Sequence, residues 1–318
     1  MSDKKIIAIV GATGAQGGGL ARAILSDSDS EFAVRALTRN PDSDAARALA
    51  DAGAEVVQAD LSDVDSLRKA FAGAYGAFCL TNFWEHFSPD TEQAQARNLA
   101  TAAADAGLQH VIWSTLEDTR KRVPLDDDRM PTLQERFKVP HFDAKGEADA
   151  YFADAGVPTT YLLTAFYWDN LIHFGMHPQR DEDGRLVLSL PMEDARLSGI
   201  AAEDIGKCAY GVFQAGDEYV GRYVGIAGGH LTGQEMADAL SDALGEPVAY
   251  HAVPFDVYRG LGFPGADDLG NMFQYYCEFE AEFVDARPVD RSRALNPELQ
   301  SFEGWLEANA DRLPIDGK

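Results

Sequence analysis

Ile6-Ile7-Ala8-Ile9-Val10-Gly11-Ala12-Thr13-Gly14-Ala15-Gln16-Gly17-Gly18-Gly19, continued by Leu20-Ala21-Arg22-Ala23-Ile24-Leu25, is the stretch that decides the fold. It reads as a buried strand, a glycine turn and the start of a helix. Gly11 allows the tight turn, Gly14 lets the backbone approach a pyrophosphate, and Gly17 lets the helix pack closely on the strand. Thr13, Ala15 and Gln16 complete the turn, so the phosphates are expected on the free N–H groups that open the helix. The spacing points to a dinucleotide-binding fold.

The next segments extend that reading outward. Residues 32–39 form a second expected strand, 45–52 a helix ending at Gly53, and 55–60 a third strand. At the end of the second strand an acid selects NAD, whereas a basic residue accommodates the 2′-phosphate of NADP. Thr38-Arg39 stands there, and a guanidinium pairs with phosphate through two parallel bonds, so NADP(H) is the expected cofactor. Asp60-Leu61 closes the third strand; Asp60 could accept from the adenine amino group or cap the helix expected over 64–71. Further strands are expected over 75–80, 109–113 and 157–163, with a helix over 89–106. Strands alternating with helices imply a Rossmann-type α/β fold, a doubly wound parallel sheet whose ligands bind at the carboxyl ends of the strands. The glycine turn, Thr38-Arg39, Thr81-Asn82-Phe83, Ser114-Thr115 and the segment after Leu163 should therefore line one crevice.

The chain of 318 residues suffices for one large α/β body and a smaller appendage. The expected division is 1–165 for nucleotide binding and 166–318 for a smaller C-terminal α/β substrate side, packed as one unit. Charged, proline-bearing sequence over 117–139 reads as a surface loop near the site. In the second part Arg185 to Pro191, after the turn Asp183-Gly184, reads as a hairpin arm. Helices are expected over 202–214 and 232–244, and short strands over 223–226 and 248–251.

The net charge of −25 disfavours direct nucleic-acid binding, because such a surface repels phosphates. Asp outnumbers Glu and Lys is scarce beside Arg, which suits a halophilic, salt-rich interior as well as an ordinary acidic protein. No apolar stretch has the length of a membrane span, and the first residues lead directly into a strand, so a cytoplasmic location is expected. Cys79, Cys208 and Cys277 lack metal-ligand spacing; they are expected to be reduced and mostly buried, with no metal site.

Four motifs in order, the glycine turn, Thr81-Asn82-Phe83-Trp84-Glu85, His141-Phe142-Asp143-Ala144-Lys145-Gly146-Glu147 and Gly262-Phe263-Pro264-Gly265, resemble the NmrA-like family. Its members are atypical short-chain dehydrogenase/reductases. The resemblance runs almost end to end, through Leu186 to Pro191 and Asn271-Met272-Phe273, and is greatest to the NADPH-sensor branch of HSCARG type. It implies a Rossmann-type NADP(H)-binding protein, in a family whose founding members regulate transcription through partner proteins. Active relatives in the wider superfamily use Ser, Tyr and Lys, with Tyr and Lys four residues apart on one helix face. By that resemblance Ser114 keeps the Ser position and Lys145 the Lys position, while His141 stands in place of Tyr. Lys145 is then expected on the nicotinamide ribose; His141 could supply a proton or be a packed helix-start histidine. Tyr167, Trp168 and Asn170 match the family pattern after the sixth strand, where Phe166 and Tyr167 could wall the nicotinamide or belong to the core. Ala165 replaces the usual Pro, which leaves that turn open. Two functions fit: a redox-sensing regulator with little or no turnover and a regulatory protein partner, or an NADPH-dependent reductase of small carbonyl or quinone-like substrates.

Overall fold

The glycine turn lies beside the point where the central sheet changes direction. In the computed structural model, which describes residues 4 to 315, β1 (Lys5–Ile9) ends at Val10 and Gly11, and Gly11 takes φ +64, a conformation that a Cβ disfavours. The helix α1 (Ala15–Ser26) follows directly. A Cβ on Gly17 would stand 2.6 Å from the Gly11 carbonyl oxygen, so this glycine sets the distance between α1 and the end of β1.

Alternating units follow as expected: β2 (Phe32–Thr38), α2 (Asp44–Asp51), β3 (Glu55–Gln58), α3 (Val64–Phe71), β4 (Gly76–Cys79), α4 (Pro89–Asp105), β5 (His110–Thr115), α5 (Pro140–Asp154) and β6 (Thr159–Leu163). Within β1 the period of two sends Ile7 and Ile9 into the core shared with Leu20 and Ile24, and Ala8 into the core shared with Leu99 and Phe152. Both faces are thereby buried, which is why these strands read as continuous apolar runs.

The C-terminal half begins with β7 (Phe166–Tyr167), α6 (Asn170–His173), β8 (Gln179–Arg180), β9 (Leu186–Leu190), β10 (Arg196–Ile200), α7 (Ala202–Gln214), β11 (Tyr223–Gly225) and β12 (Gly229–Thr232). It continues through α8 (Gly233–Leu244), β13 (Val248–Ala252), α9 (Phe255–Arg259) and α10 (Ala266–Glu278). The central sheet has seven parallel strands in the order β3-β2-β1-β4-β5-β6-β11. The order reverses between β1 and β4, the place where such sheets open a crevice. Strand β11 comes from well beyond residue 165, and α7 packs against α1, so this sheet draws on both halves of the chain. At the α1–α7 contact a Cβ on Gly19 would strike the Glu203 carbonyl, and one on Gly206 would strike the backbone of Leu20. Two smaller sheets, β12-β10-β7 and β13-β9-β8, carry the remaining strands. The hairpin arm over 185–191 is β9, antiparallel to β8.

Two local expectations are corrected. The cap of α3 is Asp63, whose carboxylate accepts from the N–H groups of Asp65 and Ser66; Asp60 instead accepts from Ser62 within its own turn. The 117–139 segment is not a free surface loop. Val123, Met130 and Val139 are buried in it, and the Lys138 ammonium donates to the carbonyls of Asp127 and Met130. Buried Asp143 ties both ends of that segment to α5, accepting from the Thr119 N–H and hydroxyl and from the N–H groups of Lys138 and Val139. Cys79 and Cys208 are buried and Cys277 is partly buried, all as free thiols. Among the described residues no helix is long and apolar enough to cross a membrane.

Candidate dinucleotide and substrate crevice

A cavity of about 790 Å³ opens at the carboxyl ends of β1, β2, β4, β5 and β6. Gly11, Thr13, Gly14, Ala15 and Gln16 form its floor, Thr38, Arg39, Asp60 and Leu61 one end, and Ser114, His141, Lys145, Tyr167 and Asn170 the other, with Thr81, Asn82 and Phe83 between. Gly17 alone of the expected contacts does not line it, because it is spent on the α1–β1 contact. Trp168 also lies elsewhere, buried against Phe302 and Trp305. The cradle fits a dinucleotide: α1 starts without a side-chain cap, so its first N–H groups are left for an anion. The volume falls in the range of cofactor sites.

At the Arg39 end the guanidinium is already engaged. Its two terminal nitrogens donate to the two carboxylate oxygens of Glu85, each at 2.9 Å. Glu85 belongs to a short turn, residues 83–87, that closes with Phe87 at φ 53, a strained conformation for a bulky residue. The Thr38 hydroxyl accepts from the Asn40 N–H at 3.2 Å and so shapes the same corner.

Toward the other end, Gln16 links two expected site residues. The Ser114 hydroxyl donates to Gln16 Oε1 at 2.8 Å, and the Gln16 amide donates to the Tyr167 hydroxyl. Burial pushes the Tyr167 phenol up to about 12, so it stays neutral. Lys145 is held as firmly. Its ammonium lies 2.7 Å from Glu92 Oε1 and donates to the Thr81 carbonyl at 2.9 Å and hydroxyl at 2.8 Å. These partners use its three donors, so the expected ribose contact would have to displace one of them. Glu92 is fully buried; burial opposes its charge, yet the Lys145 ammonium, with His86 and Thr81, holds the carboxyl down at about 2.

His141 sits in the first turn of α5, one helical turn before Lys145, and both face the cavity. Its Nδ1 is 2.6 Å from Asp268 Oδ1, and its backbone N–H donates to Asp268 Oδ2 at 3.2 Å. The ring is enclosed by Trp84 and Phe142, each with centroids at 4.8 Å, and by Phe83 at 5.9 Å. Asp268 comes from the first turn of α10, immediately after the Gly262-Phe263-Pro264-Gly265 motif. That motif seats on the aromatic turn: a Cβ on Gly265 would stand 2.9 Å from Trp84. Asp268, Glu92 and Glu85 are the functional candidates that sequence reasoning missed. Glu85 and Asp268 had a signal, Glu85 as the last residue of a motif already singled out and Asp268 just behind another; Glu92 had none.

Known proteins resemble this chain over most of its length. The NmrA-like family domain-containing oxidoreductase FrzB of Cladobotryum sp. is 31% identical over 91% of this chain and 89% of its own. The oxidoreductase of the same description named notA, from Aspergillus sp. strain MF297-2, is 31% identical over 98% of this chain and 95% of its own. Among solved structures, NmrA, a negative transcriptional regulator, in complex with NADP superposes with a TM-score of 0.77 at 24% identity, covering 96% of this chain and 95% of that one. Citrobacter sp. triphenylmethane reductase complexed with NADP(H) gives 0.74 at 20% identity, covering 96% and 99%. The structural likenesses establish the fold. The model of the NmrA-like family matches residues 3–306, and with relatives of this identity over nearly the whole length the chain belongs to the NmrA-like family.

Proposed function

We propose that this protein binds NADP(H) and acts as a redox-sensing regulator of HSCARG type, in which turnover is not required for the response. The observation that carries the reading is the Arg39–Glu85 pair. A 2′-phosphate at the end of β2 would compete with Glu85 for the same two guanidinium donors. Releasing Glu85 frees the 83–87 turn, which carries Phe83 and Trp84 against His141 and the C-terminal motif. A cofactor lacking that phosphate would leave the pair intact, so the turn distinguishes NADPH from NADH. The test is hydrogen exchange of the amides of 83–87, where Phe87 N–H donates to the Phe83 carbonyl at 2.8 Å. Exchange there should rise with saturating NADPH and stay unchanged with saturating NADH; equal responses would remove the sensor reading.

A second reading, an NADPH-dependent reductase of small carbonyl or quinone-like substrates, is favoured by the buried His141–Asp268 pair beside an aromatic wall. The two readings use opposite ends of the crevice and are compatible. Oxidation of NADPH across a panel of aldehydes, ketones and quinones supports the reductase; its absence leaves the sensor alone.

A further inference from the structure

We propose that Asp268 is a positioning residue that orients His141, making the imidazole the proton donor of a carbonyl reduction; this rests on the reductase reading. Both oxygens of one carboxylate grip one histidine, Oδ1 at the ring Nδ1 and Oδ2 at the backbone N–H, so ring and helix start are fixed together. Asp268 accepts nothing else from the α5 side, and both side chains are almost wholly buried. With Nδ1 committed, Nε2 is the nitrogen left to serve the cavity that His141 lines. An imidazole whose second nitrogen donates to a buried carboxylate is stabilised as imidazolium and kept in one orientation.

The balanced step uses that geometry. A bound dihydronicotinamide would supply the hydride that forms a C–H bond at the substrate carbonyl carbon, as the C=O π pair moves to oxygen. That oxygen takes the Nε2 proton of His141, leaving NADP⁺, an alcohol and a neutral ring that keeps its proton on Nδ1. A solvent proton then returns to Nε2. A tyrosine at position 141 would do the same with a phenol, but here the carboxylate needed to support an imidazole is supplied from α10, the helix that follows the substrate-side motif.

Other charges near the ring are already committed. Lys145, one turn on in α5, is paired with Glu92. Glu85, on the turn that carries Phe83 and Trp84, is paired with Arg39, while His86 on that turn lies 3.5 Å from Glu92. Asp268 is the carboxylate in direct contact with the ring.

The experiment is an NMR titration of His141 in the full chain without cofactor, for the parent, Asp268→Asn and Asp268→Glu, together with NADPH-dependent reduction of benzaldehyde and menadione against pH. In the parent the neutral form of His141 should carry its proton on Nδ1, and the midpoint of its titration is the reference for the variants. Asp268→Asn should lower that midpoint by about one unit or more, as expected for loss of an adjacent opposite charge. Asp268→Glu should restore part of the shift. The midpoint of the kcat profile should move with the ring, and kcat should fall by about tenfold or more while KM for NADPH is unchanged. An unshifted His141 midpoint in Asp268→Asn overturns the role of Asp268 and leaves the reductase reading standing. Absence of turnover in the parent overturns both. If Asp268→Asn does not fold, the parent tautomer decides: a neutral ring protonated on Nε2 overturns the inference.

Discussion

The two ends of the crevice each present a carboxylate paired with a nitrogen donor, and they differ in access to water. At one end the Arg39 and Glu85 side chains are 67% and 45% exposed; at the other His141 and Asp268 are 7% and 5% exposed. An exposed pair is worth about 0 to 1 kcal/mol, so a competing phosphate displaces it at small cost. A buried pair cannot exchange its partner for water and holds one geometry instead. One end can change partners at small cost and the other keeps them, the contrast on which the proposed cofactor-dependent response depends.

The largest expected effect concerns the centre that joins the two ends. Glu92→Gln leaves the Lys145 ammonium buried without its carboxylate and should cost about 3 to 5 kcal/mol in urea unfolding at neutral pH. A loss below about 1 kcal/mol would place that pair with the exposed one and break the contrast. The pH dependence has a defined sign. The Glu92 carboxyl titrates at about 2 in the folded protein, below the ordinary 4.5, so its stabilisation is present above 4.5 and is lost as pH falls toward 2. Glu92→Gln should therefore flatten the acid limb of the stability profile.

Next in size is Arg39→Ala, which should erase most of the preference for NADPH over NADH, a change of tenfold to a hundredfold from a contact worth about 1.5 to 3 kcal/mol. Equal affinities for the two cofactors in the parent, by calorimetry, would sink the assignment. Glu85→Gln is smaller and opposite in sign. Removing the competitor should tighten NADPH by up to about fivefold, the equivalent of about 1 kcal/mol, and leave NADH alone. Weaker NADPH binding would mean that Glu85 supports the cofactor rather than opposing it.

Salt gives the gentlest separation. Molar KCl shortens the screening length to about 3 Å, so it should narrow the NADPH preference while moving the His141 midpoint little. An equal response at both ends would show that the second pair is not shielded. If the net charge of −25 reflects a salt-rich interior, the melting temperature should also climb steadily into molar KCl.

Much of the nucleotide-binding half was legible because its signals are local. The expected helix over 64–71 is α3, the one over 89–106 is α4, and the glycine turn stands where the strand order reverses. What escaped depends on long-range pairing. Tyr223-Val224-Gly225 is readable as a strand, but nothing in those residues says that it pairs with Tyr161-Leu162-Leu163. Asp268 meets His141 across 127 positions, and Glu92 lies within a polar run, Asp90-Thr91-Glu92-Gln93, that reads as solvated. The 117–139 segment misled for the same reason: its charges are visible in order, whereas the Asp143 carboxylate that gathers its ends is not.

The close approach of α1 and α7 has a consequence for how the protein is made. Gly19 and Gly206 press two backbones together, and Gly206 is synthesised long after Gly19. On the ribosome, a chain that has emerged only through β6 carries a finished glycine turn on a helix with one flank still bare, and a sheet whose outer edge awaits β11. The nucleotide crevice therefore matures late in translation, and Asp268 arrives later still, so the His141–Asp268 pair is completed only after the phosphate cradle has been assembled.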